Sequence, residues 1–99
     1  MATSFRVGTL NVWALPLVAP RVEERMRAIV ERAAALDLDV LALQEVWTPR
    51  AESALVAAGA VAGYSSLWPS GRAAGGLMAL SRSEALSVEF HEYAVAGLP

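Results

Sequence analysis

Hydrophobic and polar positions change rhythm several times along the chain, and each change marks an element. Phe5 to Val12 alternates in the manner of a strand, with Phe5, Val7, Thr9 and Asn11 on one face. Trp13 to Ala19 reads as a loop marked by Pro16 and closed by Pro20, a residue suited to the first turn of a helix. Val22, Met26, Ile29, Val30 and Ala33 then recur at helical spacing to form one apolar stripe. On the wet face, Glu23 and Arg27, and Arg27 and Glu31, stand four apart as expected ion pairs. Leu38 to Leu43 is an apolar run broken only by Asp39, too short for a typical helix and of the length of a strand buried on both faces. It ends in two polar residues, Gln44 and Glu45.

Thr48, with Pro49 after it and Glu52 in the first turn, predicts a second helix running to about Ala58 and stopped by Gly59 and Gly63. Tyr64 to Trp68, Gly76 to Ser81 and Leu86 to Ala94 read as three further strands, the last two close enough to form a hairpin. The glycines between Ser70 and Gly76 suggest a turn, because no Gly-Lys-Ser/Thr follows to make a phosphate-binding loop. The leading order of strand, helix, strand is a βαβ unit, which makes this an α/β chain with its first two strands parallel. Asn11 and Glu45 then finish at the same edge of the sheet, although distant in sequence. Ligands of open α/β sheets sit in the crevice beyond that edge.

A carboxylate beside so apolar a strand needs compensation from a cation or an arginine, so Glu45 is the first candidate functional residue. An Asn11 amide beside it can orient a phosphate or a metal-bound water, and Mg²⁺ takes only one or two protein carboxylates, filling its octahedron with water and substrate oxygens. The bland alternatives are a strand-end carboxylate that caps or pairs, and a turn-forming asparagine. Alternation places Gln44 on the face opposite Glu45, where it satisfies backbone. Arg82 is expected to pair with a carboxylate such as Glu84 or Asp39, and His91, the single histidine, falls in mid-strand with a structural or surface role. Trp13 and Trp47 follow the two polar strand ends, at the rim of the same crevice.

Composition narrows the picture. Hydrophobic residues make up 56% of 99, enough to build a core but small for covering a wide sheet on both faces. The net charge of −2 supplies no basic footprint for non-specific nucleic-acid binding. With no cysteine, thiolate metal sites, disulfides and cysteine nucleophiles are excluded. No signal peptide precedes the first strand and no apolar stretch is long enough to span a bilayer, so the default expectation is cytoplasmic.

Three stretches together resemble the opening of the endonuclease/exonuclease/phosphatase, or deoxyribonuclease I-like, superfamily: Thr9-Leu10-Asn11-Val12-Trp13, Asp39 to Trp47 with its Leu-Gln-Glu, and Gly75 to Arg82. Within it, Asn-Val-Trp-Ala-Leu-Pro, the Arg-Met-Arg helix, Glu-Val-Trp and the terminal Gly-Leu-Pro are most similar to neutral sphingomyelinase-type phosphodiesterases. The resemblance implies the first half of a four-layer α/β/β/α sandwich, a mixed sheet with helices on one face. It implies a hydrolase of phosphoric diesters that uses Mg²⁺ or Mn²⁺, with Glu45 binding the metal and Asn11 holding the phosphate or metal. The substrate would be a sphingomyelin-like phospholipid, ahead of a nucleic acid on charge, and a membrane surface a possible partner. The family's histidine base and its Asp-His and Asp-x-Asn motifs belong to a later half, which His91 does not match. Residues 1–99 are therefore expected to be the amino-terminal portion of one such domain, inactive without its carboxyl-terminal half. A non-catalytic α/β binding module that keeps the fold core is the alternative.

Overall fold

A computed structural model describes residues 4–14, 21–67 and 75–84, together with positions 87 and 89. The elements run β1 (Val7–Ala14), α1 (Val22–Ala35), β2 (Val40–Val46), α2 (Pro49–Ala62), β3 (Ser65–Leu67) and β4 (Met78–Ser81). Together the strands make one mixed sheet ordered β1-β2-β4-β3, with β1 and β2 parallel and β4 antiparallel to both β2 and β3. The expected last strand with His91, Trp68, and most of the loops around Pro16 and Ser70 lie outside the described residues.

One face of the sheet carries the core. Leu41 and Leu80 are register partners and so share a face. Leu41 lines a hollow against α1, and the side chain of Leu80 lies against Gly59 of α2, so both helices cover that same face. Buried Val12, Leu43 and Met78 join Met26, Val30 and Ala33 of α1 and Ala51 and Leu55 of α2 in one cluster. The reading of β2 as buried on both faces is corrected: its burial alternates, because only the helical side is covered. Asp39 precedes the strand, where its carboxylate accepts from the Arg6 backbone N–H at 2.8 Å.

The helical stripe of α1 is observed, with Val22, Met26, Val30 and Ala33 buried and Ile29 packed beside them. Its end is a Schellman motif: Leu38 N–H donates to the Ala33 carbonyl and Asp37 N–H to the Ala34 carbonyl, each at 3.0 Å. Asp37 takes the left-handed position usually given to glycine, at φ 57°. Arg27 pairs with Glu31 as expected, but Glu23 is drawn instead to Arg50 of α2, where the two helices meet. Arg50 holds the Glu23 carboxyl below the ordinary range.

Thr48 caps α2, its Oγ1 accepting from Ala51 N–H at 3.1 Å. The helix runs through Gly59 and stops at Gly63, which caps it at φ 87°. Gly59 was expected to break the helix, and its role is packing: a Cβ there would lie 3.2 Å from a Leu80 methyl. Arg82 pairs with a carboxylate as expected, but with Asp37 instead of Glu84 or Asp39, and lies 5.3 Å from the Tyr64 ring centroid.

Candidate functional site

Parallel pairing carries β1 and β2 to a common end. The register sets Asn11 beside Gln44, so Asn11 and Glu45 are one residue apart along neighbouring strands, the convergence expected from topology. The ladder then slips between Asn11 and Ala14, leaving Val12 and Trp13 as a bulge. Bulges of this kind re-aim side chains at sheet edges.

Both strand ends are held in backbone that side-chain residues rarely adopt. Trp13 has φ 52° and Glu45 φ 60°, the left-handed region that costs a non-glycine residue about 1–2 kcal/mol. Two such residues at adjacent strand ends are over-determined by the surrounding contacts, a pattern that clusters at functional sites. At Glu45 the turn also interrupts the regular pleat, after which Val46 N–H donates to the Gly76 carbonyl at 2.9 Å. Gly76 sits under Trp47, and a Cβ on it would lie 3.0 Å from the indole.

Gln44 serves the sheet, its Nε2 donating to Thr9 Oγ1 at 2.8 Å and to the Ala42 carbonyl at 3.3 Å. Asn11 Oδ1 accepts from Trp13 N–H at 2.9 Å, which fixes the orientation of the carboxamide and leaves its Nδ2 donors without a partner among the described residues. Glu45 is half-buried and makes no hydrogen bond or ion pair among the described residues. A partly desolvated carboxylate without a protein cation is the kind of donor a hard divalent metal takes, and a side-chain amide on the neighbouring strand end can complement a phosphate oxygen. No three His, Cys, Asp or Glu side chains gather into a metal-holding group among the described residues. A metal held at Glu45 would need further ligands from elsewhere.

Trp13 and Trp47 stand at the rim, 51% and 46% exposed. One residue missed in the sequence belongs to this neighbourhood. Arg25 of α1 donates from Nη2 to the Val12 carbonyl at 2.5 Å, with its guanidinium 5.9 Å from the Trp13 ring centroid. Its position three after Val22 and one before Met26, on the flank of the apolar stripe, was the available signal. Elsewhere, an apolar hollow of about 450 Å³ between β1 and α1, lined by Leu10, Ile29, Leu36 and Leu41 among others, lacks convergent polar groups. Among the described residues no helix is long and apolar enough to cross a membrane.

A mixed sheet with helices on one face and polar residues at the ends of its parallel strands defines an α/β protein with a candidate site at the strand edge. The chain belongs to the Endonuclease/Exonuclease/phosphatase family, which it matches over residues 8–97, and it carries the α/β architecture of that fold's amino-terminal portion. It is 36% identical over 91 residues to "Putative neutral sphingomyelinase" of Drosophila melanogaster, a match covering 90% of this chain and 20% of that protein. It is 40% identical over 47 residues to "Inositol phosphosphingolipids phospholipase C" of Schizosaccharomyces pombe (strain 972 / ATCC 24843), covering 48% of this chain and 11% of that protein. The chain thus spans about a fifth or less of the length of these relatives.

Proposed function

We propose that residues 1–99 are the amino-terminal portion of a divalent-metal-dependent phosphoric-diester hydrolase acting on a sphingomyelin-like phospholipid. Family membership and two relatives named for sphingolipid phosphodiester chemistry support the reaction class and the substrate class. Members of the family generally depend on a divalent metal. The single observation that carries the reading in this chain is Glu45, a half-buried carboxylate in left-handed backbone with no protein partner among the described residues, one position from Asn11 across a parallel pair.

Glu45 would hold Mg²⁺ or Mn²⁺ through its carboxylate. When bound, such an ion polarises the phosphoryl group and neutralises charge developing on it. Asn11, with Oδ1 engaged by Trp13, directs Nδ2 donors to a non-bridging phosphate oxygen, or uses its remaining Oδ1 lone pair toward the metal. Donors fixed before the reaction are worth most where water is partly excluded. The general base and the remaining acidic ligands belong to the carboxyl-terminal half of the fold, so the 99 residues alone are inactive.

The test uses the native protein that carries this sequence. With Mg²⁺ it hydrolyses sphingomyelin in vesicles, and Glu45→Gln, which keeps the shape and removes the charge, lowers kcat by at least about a hundredfold. Wild-type rates in Glu45→Gln, or rates indifferent to chelation, would sink the proposal.

A further inference from the structure

The peptide joining Val12 to Trp13 is gripped at both ends. Its N–H donates to Asn11 Oδ1 at 2.9 Å, and its carbonyl accepts from Arg25 Nη2 at 2.5 Å. Because a peptide unit is planar, its carbonyl and N–H cannot turn independently. Whatever fixes the carbonyl fixes the hydrogen bond to Asn11. The unit also lies in the bulge, where the ladder to β2 does not hold it.

Arg25 is built for this grip. It lies beside fully buried Met26 in sequence, and its guanidinium carbon stands over the Trp13 ring, 5.9 Å from the centroid. Its second terminal nitrogen, Nη1, is buried without an acceptor among the described residues, and no carboxylate among them pairs with it. A half-buried guanidinium without a counter-ion among the described residues is costly to keep as mere packing. Its one hydrogen bond among the described residues goes to the peptide that orients Asn11.

We propose that Arg25 is a positioning residue: by holding the Val12 carbonyl it locks the Val12–Trp13 peptide, keeps Asn11 Oδ1 on Trp13 N–H, and leaves the Asn11 Nδ2 donors for the phosphate. The clamp itself stands on geometry, and its role in the reaction rests on the reading of Asn11 as the phosphate-holding amide. Lysine cannot reproduce both the guanidinium contact with the Trp13 ring and the directed donor.

Amide exchange and ¹⁵N NMR of the full chain test the clamp in Arg25→Lys and Arg25→Ala, with Arg27→Ala, an exposed neighbour on α1, as control. Exchange at Trp13 N–H is expected to accelerate by about tenfold in both Arg25 variants, and the Asn11 carboxamide signals to move. Core amides of α1 stay protected in Arg25→Lys. Guanidinium ion at non-denaturing concentration slows the exchange again in Arg25→Ala, while sodium salt of equal ionic strength does not. In the native protein, sphingomyelin turnover falls in Arg25→Lys and in Asn11→Ala, and the double variant is no worse than Asn11→Ala. Unchanged Trp13 exchange in both Arg25 variants overturns the clamp. Accelerated exchange with Asn11→Ala turning over at the wild-type rate overturns instead the reading of Asn11, and with it any role of the clamp in catalysis.

Discussion

At the scale of single residues, the site combines what composition and order reveal with what only backbone geometry does. That Asn11 and Glu45 finish at one edge of the sheet was legible because a βαβ unit has one common topology, and the register of Asn11 with Gln44 is its direct outcome. The left-handed turn at Glu45 was not legible, since nothing in a glutamate favours φ 60°; it adjoins the β1 bulge and the Val46 N–H bond to the Gly76 carbonyl, neither of which the pattern shows. Arg25 was hidden for a related reason, because a helix pattern shows which flank a residue occupies and not which carbonyl lies opposite. On the proposed reading, Asn11→Ala in the native protein is expected to lower kcat by about 10²–10³-fold, the usual cost of one oriented donor, while global stability changes little because Asn11 is exposed and the lost hydrogen bond to Trp13 N–H is local to the bulge. Steady-state kinetics alongside circular dichroism check both halves of that expectation.

At the scale of elements, local signals placed α1 and α2, and tertiary contacts decided their details. Thr48 capping was readable from Thr-Pro-x-x-Glu, and Thr48→Ala is expected to cost about 1 kcal/mol in urea unfolding. Gly59 misled because a glycine in a helix reads as a stop, whereas here its missing Cβ admits Leu80. Gly76 carries the opposite lesson. Its φ of 74° and the indole of Trp47, 3.0 Å from where a Cβ would stand, both disfavour a side chain. Gly76→Ala is expected to destabilise by about 1–2 kcal/mol from backbone strain alone and to shift Trp47 emission as the ring is displaced. A variant with unaltered midpoint and emission would show that the turn does not brace the end of β2.

The Asp37–Arg82 pair ties the end of α1 to the end of β4, and its sign with pH follows from its charges. Arg82 holds the Asp37 carboxyl below the ordinary range, so the stabilisation is present above about pH 4 and is lost as pH falls through the lowered value. Both partners are substantially exposed, so the effect is small. The gap in unfolding midpoint between wild type and Asp37→Asn is expected near neutral pH and to close in acid.

At the scale of the whole molecule, the helices cover one face of the sheet and leave the other to Thr9, Asn11, Val40, Ala42, Gln44 and Ala79, all partly or fully exposed. Alternation in β1 grouped Thr9 and Asn11 on one face without saying which face the helices cover, while the apolar run of β2 suggested cover on both faces. The difference lies in Val40 and Ala42, small apolar residues on the face that the helices do not reach. Such a face suits the half-fold reading, in which a second sheet packs against it.

The site at the strand edge is tested most directly by Mn²⁺ added to the ¹⁵N-labelled native protein that carries this sequence, reading paramagnetic broadening residue by residue. Broadening centred on Glu45, Asn11 and Trp13, with affinity reduced at least about tenfold in Glu45→Gln, is the expected result. Broadening centred on the exposed carboxylates of α1, or unaffected by Glu45→Gln, would contradict the assignment of Glu45 as the metal ligand.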